Sequence, residues 1–530
     1  MDNPAVLSRV WKEKEGDCRM KRFIRILTAA ALVLLGLRLA NATPSAATDF
    51  SIPLDGGYHL SLYLLDEGAW LARQAQTRTD YALASRTVYD FDIYKEKERS
   101  GGLSLTLYTD PAAGTLYFLE STSAVPVELQ ITKQGCSEPV TLRKFTYGTP
   151  ESAAAQTVNA GLGYDSETSL YLEGGGLAVQ SGRTVRLEPK GGTVYAVETA
   201  SSGTAFALEN GVFTLQTRVA ADSAAKVSYH GAACTAPLVD WGTAHRAQKI
   251  VNFDTTNEYL FLADGHYYEK PPDYLPCANE EGRFVYKTAA SFVHKSALEP
   301  NSGAYVRLLG LYLLYTRLES FNDRGYIETP CESQWLHTDY QINAGFYDTR
   351  FNIDAVRALI FAERAGSEPR IRETAERALD FYVDFRRKHR FLANGSFFAP
   401  DYLDRDGITA ADHASLNHSL AEGMALIEAG RQYQRADYFT EGLALFDELE
   451  KSWWVWLRPD NDLWYAVNRA GEMIRDDYVS VTYNDLVAAV KLLDETGHLE
   501  RYPGLYALLY AKETWLAGSE EGAACILEHP

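Results

Sequence analysis

The hydrophobic period of this chain changes once, near residue 300, from two to 3.6. Alternating apolar and polar residues belong to half-buried strands, and apolar residues three and four apart belong to helices. A single core does not accommodate both regimes over 530 residues. The chain therefore reads as multidomain, with an antiparallel β domain followed by a helical one.

Period two runs from about Thr48 to Gly231. It is clearest at residues 57–64, 103–108, 115–119, 127–131, 184–187, 193–197 and 212–217, with Gly, Asp, Pro and Ser clusters between the runs. Many short strands at near-regular spacing predict an antiparallel β-sandwich over residues 48–235. The stretches 114–121 and 192–200 look alike, as repeated strand–turn units do, and no catalytic signature stands among them. Residues 236–300 read as a linker carrying Pro271, Pro272 and Pro276, with a hairpin at 258–269.

Beyond it, helices are predicted at 303–319, 351–365, 369–388, 416–430, 436–450, 482–495 and 502–516. Short links pair the second with the third, the fourth with the fifth, and the sixth with the seventh. Loops 320–350, 389–415 and 451–481 separate the pairs. The first helix of each pair begins at 351, 416 and 482, a spacing of 65 and then 66 residues. Repeated helical hairpins with alternating short and long connections are the pattern of an α/α toroid, here over 301–518. All three long loops should emerge at one end of the helices. Loops of that length inside a domain are usually functional, so that end is the expected site.

Lys21, Arg22 and Arg25, then the apolar run from Ile26 to Leu37, then Ala40-Asn41-Ala42, form a secretion signal over residues 1–42, cleaved after Ala42. The charged stretch before Met20 is foreign to such a signal, so Met20 reads as the initiator. An uncleaved N-terminal anchor is the alternative. Export to the medium or the cell envelope follows, with no membrane association after cleavage. Residues 1–42 carry eight Lys/Arg and four Asp/Glu, so their removal takes the net charge from −20 to −24. A chain this acidic repels nucleic acid and anionic lipid over long range, and a polyanionic glycan too unless its cleft is locally basic. The mature chain keeps Cys136, Cys234, Cys277, Cys331 and Cys525, none at zinc-site spacing. A Cys136–Cys234 disulfide and free buried thiols are both open.

Unusual residues gather in the long loops: Trp335, His337, Asp339, Tyr340, Tyr347, Asp348, Arg350, Asn352 and Asp354; then Asp401, Tyr402, His413, Asn417, His418 and Glu422; then Trp464, Tyr465, Asp477, Tyr478, Tyr483, Asn484 and Asp485. Aromatic faces pack on sugar C–H faces, and carboxylates and amides bond sugar hydroxyls, so the mixture suits a polysaccharide or oligosaccharide. Each residue also has a purely structural reading. Asp348 and Asn352 stand where a helix is capped. His418 and Glu422, four apart, can bond each other. Trp335, Trp464 and Trp453-Trp454-Val455-Trp456 can pack beneath loops, and Asp404, Asp406 and Gly407 read as a solvated turn. A metal site from His413, His418 and Glu422 is conceivable, but no metal or cofactor is expected.

The run Asp477-Tyr478-Val-Ser-Val-Thr-Tyr483-Asn484-Asp485-Leu486 resembles the C-terminal signature of the D-glucuronyl C5-epimerases, and Asp462-Leu-Trp-Tyr465 resembles their upstream aromatic segment. The family's arrangement, a β domain followed by an α/α toroid, has the order read above. Where the family has an Arg after the upstream Tyr, this chain has Ala466-Val-Asn468 with Arg469 nearby. The family's His residues inside the Asp-Tyr signature are missing. The resemblance implies epimerisation at C5 of uronic acid residues, with Tyr478 and Tyr465 as the acid–base pair and Asp348 and Arg350 beside them. Arg350 would neutralise the intermediate. Substrate would be held by Trp335, Asp339, Tyr340, Tyr347, Asn352, Tyr402, His413, Asn417, His418, Trp464, Asp477, Tyr483 and Asn484. The alternatives on the same scaffold are a glycoside hydrolase, which would use two carboxylates such as Asp339 or Asp348 with Asp477 or Glu422, a polysaccharide lyase, and a non-catalytic glycan-binding or envelope protein.

Overall fold

Alternation in the first half of the chain builds two antiparallel sheets. The computed structural model describes residues 49–146, 156–158, 162–164, 168–200, 203–221, 225–242, 259–269, 275, 283–286, 302–365, 368–405, 407 and 411–527. The signal over 1–42 with Met20, the residues Pro271, Pro272, Pro276 and Cys277, and Asp406 lie outside the described residues. One sheet has six strands, with Tyr58–Leu64, Val127–Gln134 and Val212–Val219 at its centre. The other has 13 strands, and the hairpin Tyr259–Leu262/Gly265–Glu269 pairs into it through Arg283–Tyr286. The hairpin expected in the linker is thus part of the larger sheet. Inward residues of both sheets share one core, Leu60, Leu62, Leu129, Ile131 and Leu215 meeting Phe91, Ile93, Leu105 and Leu119. Cys136 and Cys234 are both buried and unbridged, so the disulfide alternative falls.

Helix α1 (Ala304–Ser320) joins the two halves, and 13 of its 17 residues are buried. A helix apolar on every side must be covered on every side. Here the larger sheet covers one face and the other helices the rest. The Tyr312 ring lies 5.2 Å from Tyr108 and 4.9 Å from Phe118, and its hydroxyl donates to the carbonyl of Leu262 at 2.5 Å. Tyr315 stacks on Tyr81 at 3.8 Å, and Arg307 pairs with buried Asp110 at 2.6 Å. Gly303 starts the helix at φ 111°, where a Cβ would lie 2.4 Å from the carbonyl oxygen of Leu238.

The hairpins follow. After the short α2 (Gln334–Tyr340) come α3 (Thr349–Ala365) with α4 (Pro369–His389), α5 (Leu416–Tyr433) with α6 (Ala436–Ser452), and α7 (Val481–Glu495) with α8 (Pro503–Leu516). The predicted helices match these within a few residues. Helix α2 lies inside what reads as loop; Ser333 caps it and Gln341, at φ 59°, stops it after seven residues, too few to show a period. Helices α3, α5 and α7 stand side by side. The Arg357–Glu428 ion pair, at 2.8 Å, ties α3 to α5, and Gly423 and Gly442 let α5 and α6 approach closely, since a Cβ on Gly442 would meet the Gly423 carbonyl at 2.8 Å. Among the described residues, no helix is long and apolar enough to cross a membrane.

Candidate functional site

The three long loops meet at the N-terminal ends of α3, α5 and α7. The first joins the second by a two-residue ladder, Tyr347 opposite Leu403 and Asp348 opposite Tyr402, and by the Asn343 amide bonding the Asp404 carboxylate at 2.9 Å. Asp404 does form the expected turn with Gly407, whose amide donates to the Asp404 carbonyl at 3.1 Å, but its side chain is buried in a loop-to-loop contact, not solvated. The second joins the third in a sheet of His413–Ser415, Trp464–Asn468 and Met473–Asp476. Asn394 adds a bond to the Gly471 carbonyl at 3.0 Å. The first and third meet where Arg475 pairs with Asp339 and sets its guanidinium 4.6 Å over the Trp335 ring.

Between the loops opens a cleft of about 460 Å³. Its walls include Trp335, Leu336, Phe346, Phe351, Tyr402, Tyr465 and Tyr478, and its polar groups include Ser333, Asp348, Arg350, Asp354, Asn417 and His418. Tyr478 is 52% exposed, and its ring meets the buried Tyr465 ring edge to face at 5.5 Å. Tyr402 lies among Trp335, Phe346 and His418, 5.9–6.2 Å between centroids. Three helix N-termini end at this cleft, and each favours negative charge near it.

Arg350 does not stand free to neutralise an intermediate. Its Nε donates to Asp354 Oδ2 at 2.9 Å, Nη1 to Asp485 Oδ2 at 2.5 Å and to the Asn417 carbonyl at 3.0 Å, and Nη2 to Asp485 Oδ1 at 3.2 Å. Burial opposes its charge, but Asp354 and Asp485 outweigh that and raise its pKa. One cation between two carboxylates leaves a net negative group under the cleft. Asp348 caps α3, its Oδ1 accepting from the Phe351 amide at 2.9 Å, while still lining the cleft.

His418 holds a different position. Its Nδ1 lies 2.8 Å from Thr349 Oγ1 and 3.6 Å from Asp401 Oδ1. Burial pushes its pKa down to about 4, against the pull of Asp401, so the ring is neutral at pH 7. Glu422, four residues along α5, accepts from the Tyr382 hydroxyl at 2.5 Å, and burial pushes its pKa up to about 7. In the tautomer with its proton on Nδ1, His418 donates to Thr349 Oγ1 and Nε2 carries the lone pair. His418 thus bonds Thr349 and Glu422 bonds Tyr382, in place of the direct bond their spacing allows. Burial also raises the pKa of Tyr465 well above the ordinary phenol value, so that phenol keeps its proton.

The remaining predicted residues sit elsewhere. Tyr347 alternates with Asp348 along its strand and faces Tyr326, Phe381 and Phe385. Asn352 is buried, bonding both the amide and the carbonyl of Ile327. His413 Nδ1 lies 2.7 Å from the Tyr340 hydroxyl, whose pKa burial pushes up to about 12, and neither residue lines the cleft. Asp339 is engaged by Arg475, and Trp464 lies under the Arg458 guanidinium at 5.2 Å. Tyr483 bonds Glu513 at 2.8 Å, and Asn484 is exposed on α7. Asp477 is buried against Lys512 and Thr482. Among described residues no three His, Cys, Asp or Glu side chains are grouped to hold a metal ion. Sequence reasoning passed over Phe346, Phe351, Leu336, Ser333 and Val481 as lining, Asp354 and Asp485 as the partners of Arg350, and Arg475. Only the Arg350–Asp354 pair, four apart on a helix, had a local signal.

No protein-family model matches the sequence, and no curated protein does. Among solved structures, the chain is similar to a family 76 glycoside hydrolase from a bovine Bacteroides thetaiotaomicron strain, at 10% identity and TM-score 0.38, over 73% of this chain and 75% of that one. It is similar to an unsaturated glucuronyl hydrolase from Bacillus sp. GL1, at 15% identity and TM-score 0.32, over 43% and 60%. It is also similar to the cellobiose 2-epimerase from Bacillus thermoamylovorans B4167, at 13% identity and TM-score 0.33, over 44% and 61%. The chain thus spans about three fifths of the latter two. Likeness at this level assigns no activity.

Proposed function

We propose that the protein is an exported carbohydrate-active enzyme that moves a proton at a sugar carbon, as an epimerase does. The observation that carries this reading is His418, a neutral imidazole tied through Nδ1 in the same cleft as two tyrosines. Epimerisation needs a base without its proton and an acid with one at the same pH. Burial supplies both conditions, lowering the pKa of His418 and raising that of Tyr465. In this scheme His418 Nε2 takes the proton, and the Tyr465–Tyr478 pair returns one. Trp335 and Tyr402 offer faces for the sugar ring. Hydrolysis would ask for two carboxylates across the bond. Asp348 and Asp354 both line the cleft, but one caps α3 and the other holds Arg350.

Uronic acid residues fit as substrate because their C5 hydrogen is α to a carboxylate, and its removal leaves an enolate-like anion. Three helix N-termini supply the positive potential that Arg350 does not. Arg475, paired on one side with Asp339 and lying over the cleft-lining Trp335, is the cation placed nearest an acidic sugar on that ring. It stands over Trp335 at φ 64°, a left-handed conformation that costs a non-glycine residue energy and that clusters at functional sites. Arg475→Ala should weaken binding of a uronate oligosaccharide by about tenfold, the worth of one charge-assisted bond. A neutral oligosaccharide should change by less than about twofold. Calorimetric titration reads both, and equal losses on the two ligands would remove Arg475 from recognition. For export, the expected mature terminus is Thr43; secreted protein that still begins at Met20 on N-terminal sequencing would overturn it.

A further inference from the structure

Lys512 lies on α8, outside the cleft, yet it joins the two segments that deliver the tyrosines. Its side chain is 0% exposed. Its Nζ donates to Asp462 Oδ1 at 2.5 Å and stands 2.9 Å from Asp477 Oδ2. Asp462 comes just before strand Trp464–Asn468, which carries Tyr465. Asp477 follows strand Met473–Asp476 and precedes Tyr478. These strands pair with each other, Trp464 opposite Asp476, so the two aspartates mark the open end of one hairpin. Each has a second anchor. Asp462 Oδ1 accepts from the Leu463 amide at 2.8 Å, and Asp477 Oδ1 accepts from Thr482 Oγ1, in the first turn of α7, at 2.5 Å.

We infer that Lys512 is a positioning residue, a buried cationic pin that fixes the Tyr465–Tyr478 pair at the cleft by holding both ends of the hairpin that carries it. A buried ammonium is not needed for packing, since an apolar side chain of like volume replaces such groups without loss in many proteins. What an apolar group does not do is hold two carboxylates in one place. The ring contact between Tyr465 and Tyr478 depends on the relative position of residues 13 apart in sequence, and the pin sets that position from below. This inference rests on the reading of the cleft as a proton-transfer site.

Lys512→Met alone leaves two carboxylates buried without a cation and is expected to unfold easily. The informative variant is the triple Lys512→Met/Asp462→Asn/Asp477→Asn, which removes all three charges together. It should fold with a Tm near that of the parent and turn over saccharide at least tenfold more slowly, with KM within about twofold, as displaced acid–base groups predict. Amide exchange in 463–468 and 477–482 should quicken at least tenfold, with the rest of the helical domain unchanged. A triple variant with parental turnover and parental exchange in those segments would overturn the pin. If the parent itself turns over no saccharide, the proposed function fails, and the exchange rates alone decide the role of Lys512.

Discussion

Replacing His418 with glutamine should lower turnover on a saccharide substrate by a factor of about 100 to 10,000 while leaving the protein folded. Glutamine keeps a donor for Thr349 and similar bulk but has no basic nitrogen, so the variant isolates the proton acceptor. The Thr349 contact at 2.8 Å and the burial of the ring give the expected pH profile. A base whose pKa burial holds near 4 is unprotonated throughout the neutral range. The acid limb of kcat/KM in the parent should therefore fall only as pH drops toward about 4, and this limb should vanish from the residual activity of the variant. Steady-state kinetics from pH 3.5 to 8, with thermal unfolding as a fold check, reads both. Turnover within about threefold of the parent would remove His418 from the chemistry.

Glu422→Gln should stabilise the protein at pH 8 by about 3 kcal/mol and have little effect at pH 5. Burial raises the folded-state pKa of Glu422 from 4.5 to about 7, and each unit corresponds to about 1.4 kcal/mol. The folded protein binds this proton more tightly than the unfolded chain does. The stability it contributes is fully present below pH 4.5 and is lost as pH rises through 7. Glutamine imitates the protonated acid at every pH and still accepts from the Tyr382 hydroxyl. The Tm of the variant should therefore pull ahead of the parent by several degrees between pH 5 and pH 8. His418 works in the opposite sense. Its folded pKa is lowered, so its contribution is present above pH 6.5 and is lost as pH falls toward 4. In the parent the two trends offset each other between about pH 4.5 and 6.5. In Glu422→Gln only the histidine trend remains, and stability should fall with acidification across that range. A Tm difference that stays constant with pH would mean that Glu422 is not protonated in the folded protein.

The helices were legible because their signal is local. The predicted starts at 351, 416 and 482 fall within two residues of Thr349, Leu416 and Val481. From their spacing alone it followed that the long loops share one end, and this brought Asp348, Arg350, Tyr465 and Tyr478 into one cleft. Sheet membership was less legible, because pairing is non-local. Nothing around Tyr259–Leu262 announces that its hairpin belongs to a sheet running back to Ala69–Asp80. Tyr347 was misplaced for a simpler reason. Once residues 347 and 348 are a strand, only one of the two can face the cleft, and the sequence did not mark so short a strand. The charge network was illegible for a third reason. Arg350 meets Asp485 across 135 residues, and Lys512 meets Asp462 across 50, separations at which no sequence pattern pairs them. The value of Arg350 as a neutralising cation depends on those unseen partners.

This cleft is proposed to move a proton at a sugar carbon. Incubation with a uronate-containing oligosaccharide in deuterated water, followed by NMR and mass spectrometry, tests it most directly. The expected result is carbon-bound deuterium at C5 with the chain length unchanged, formed about 100-fold or more slowly by Tyr478→Phe. New reducing ends without carbon-bound deuterium would contradict the account and show a hydrolase instead.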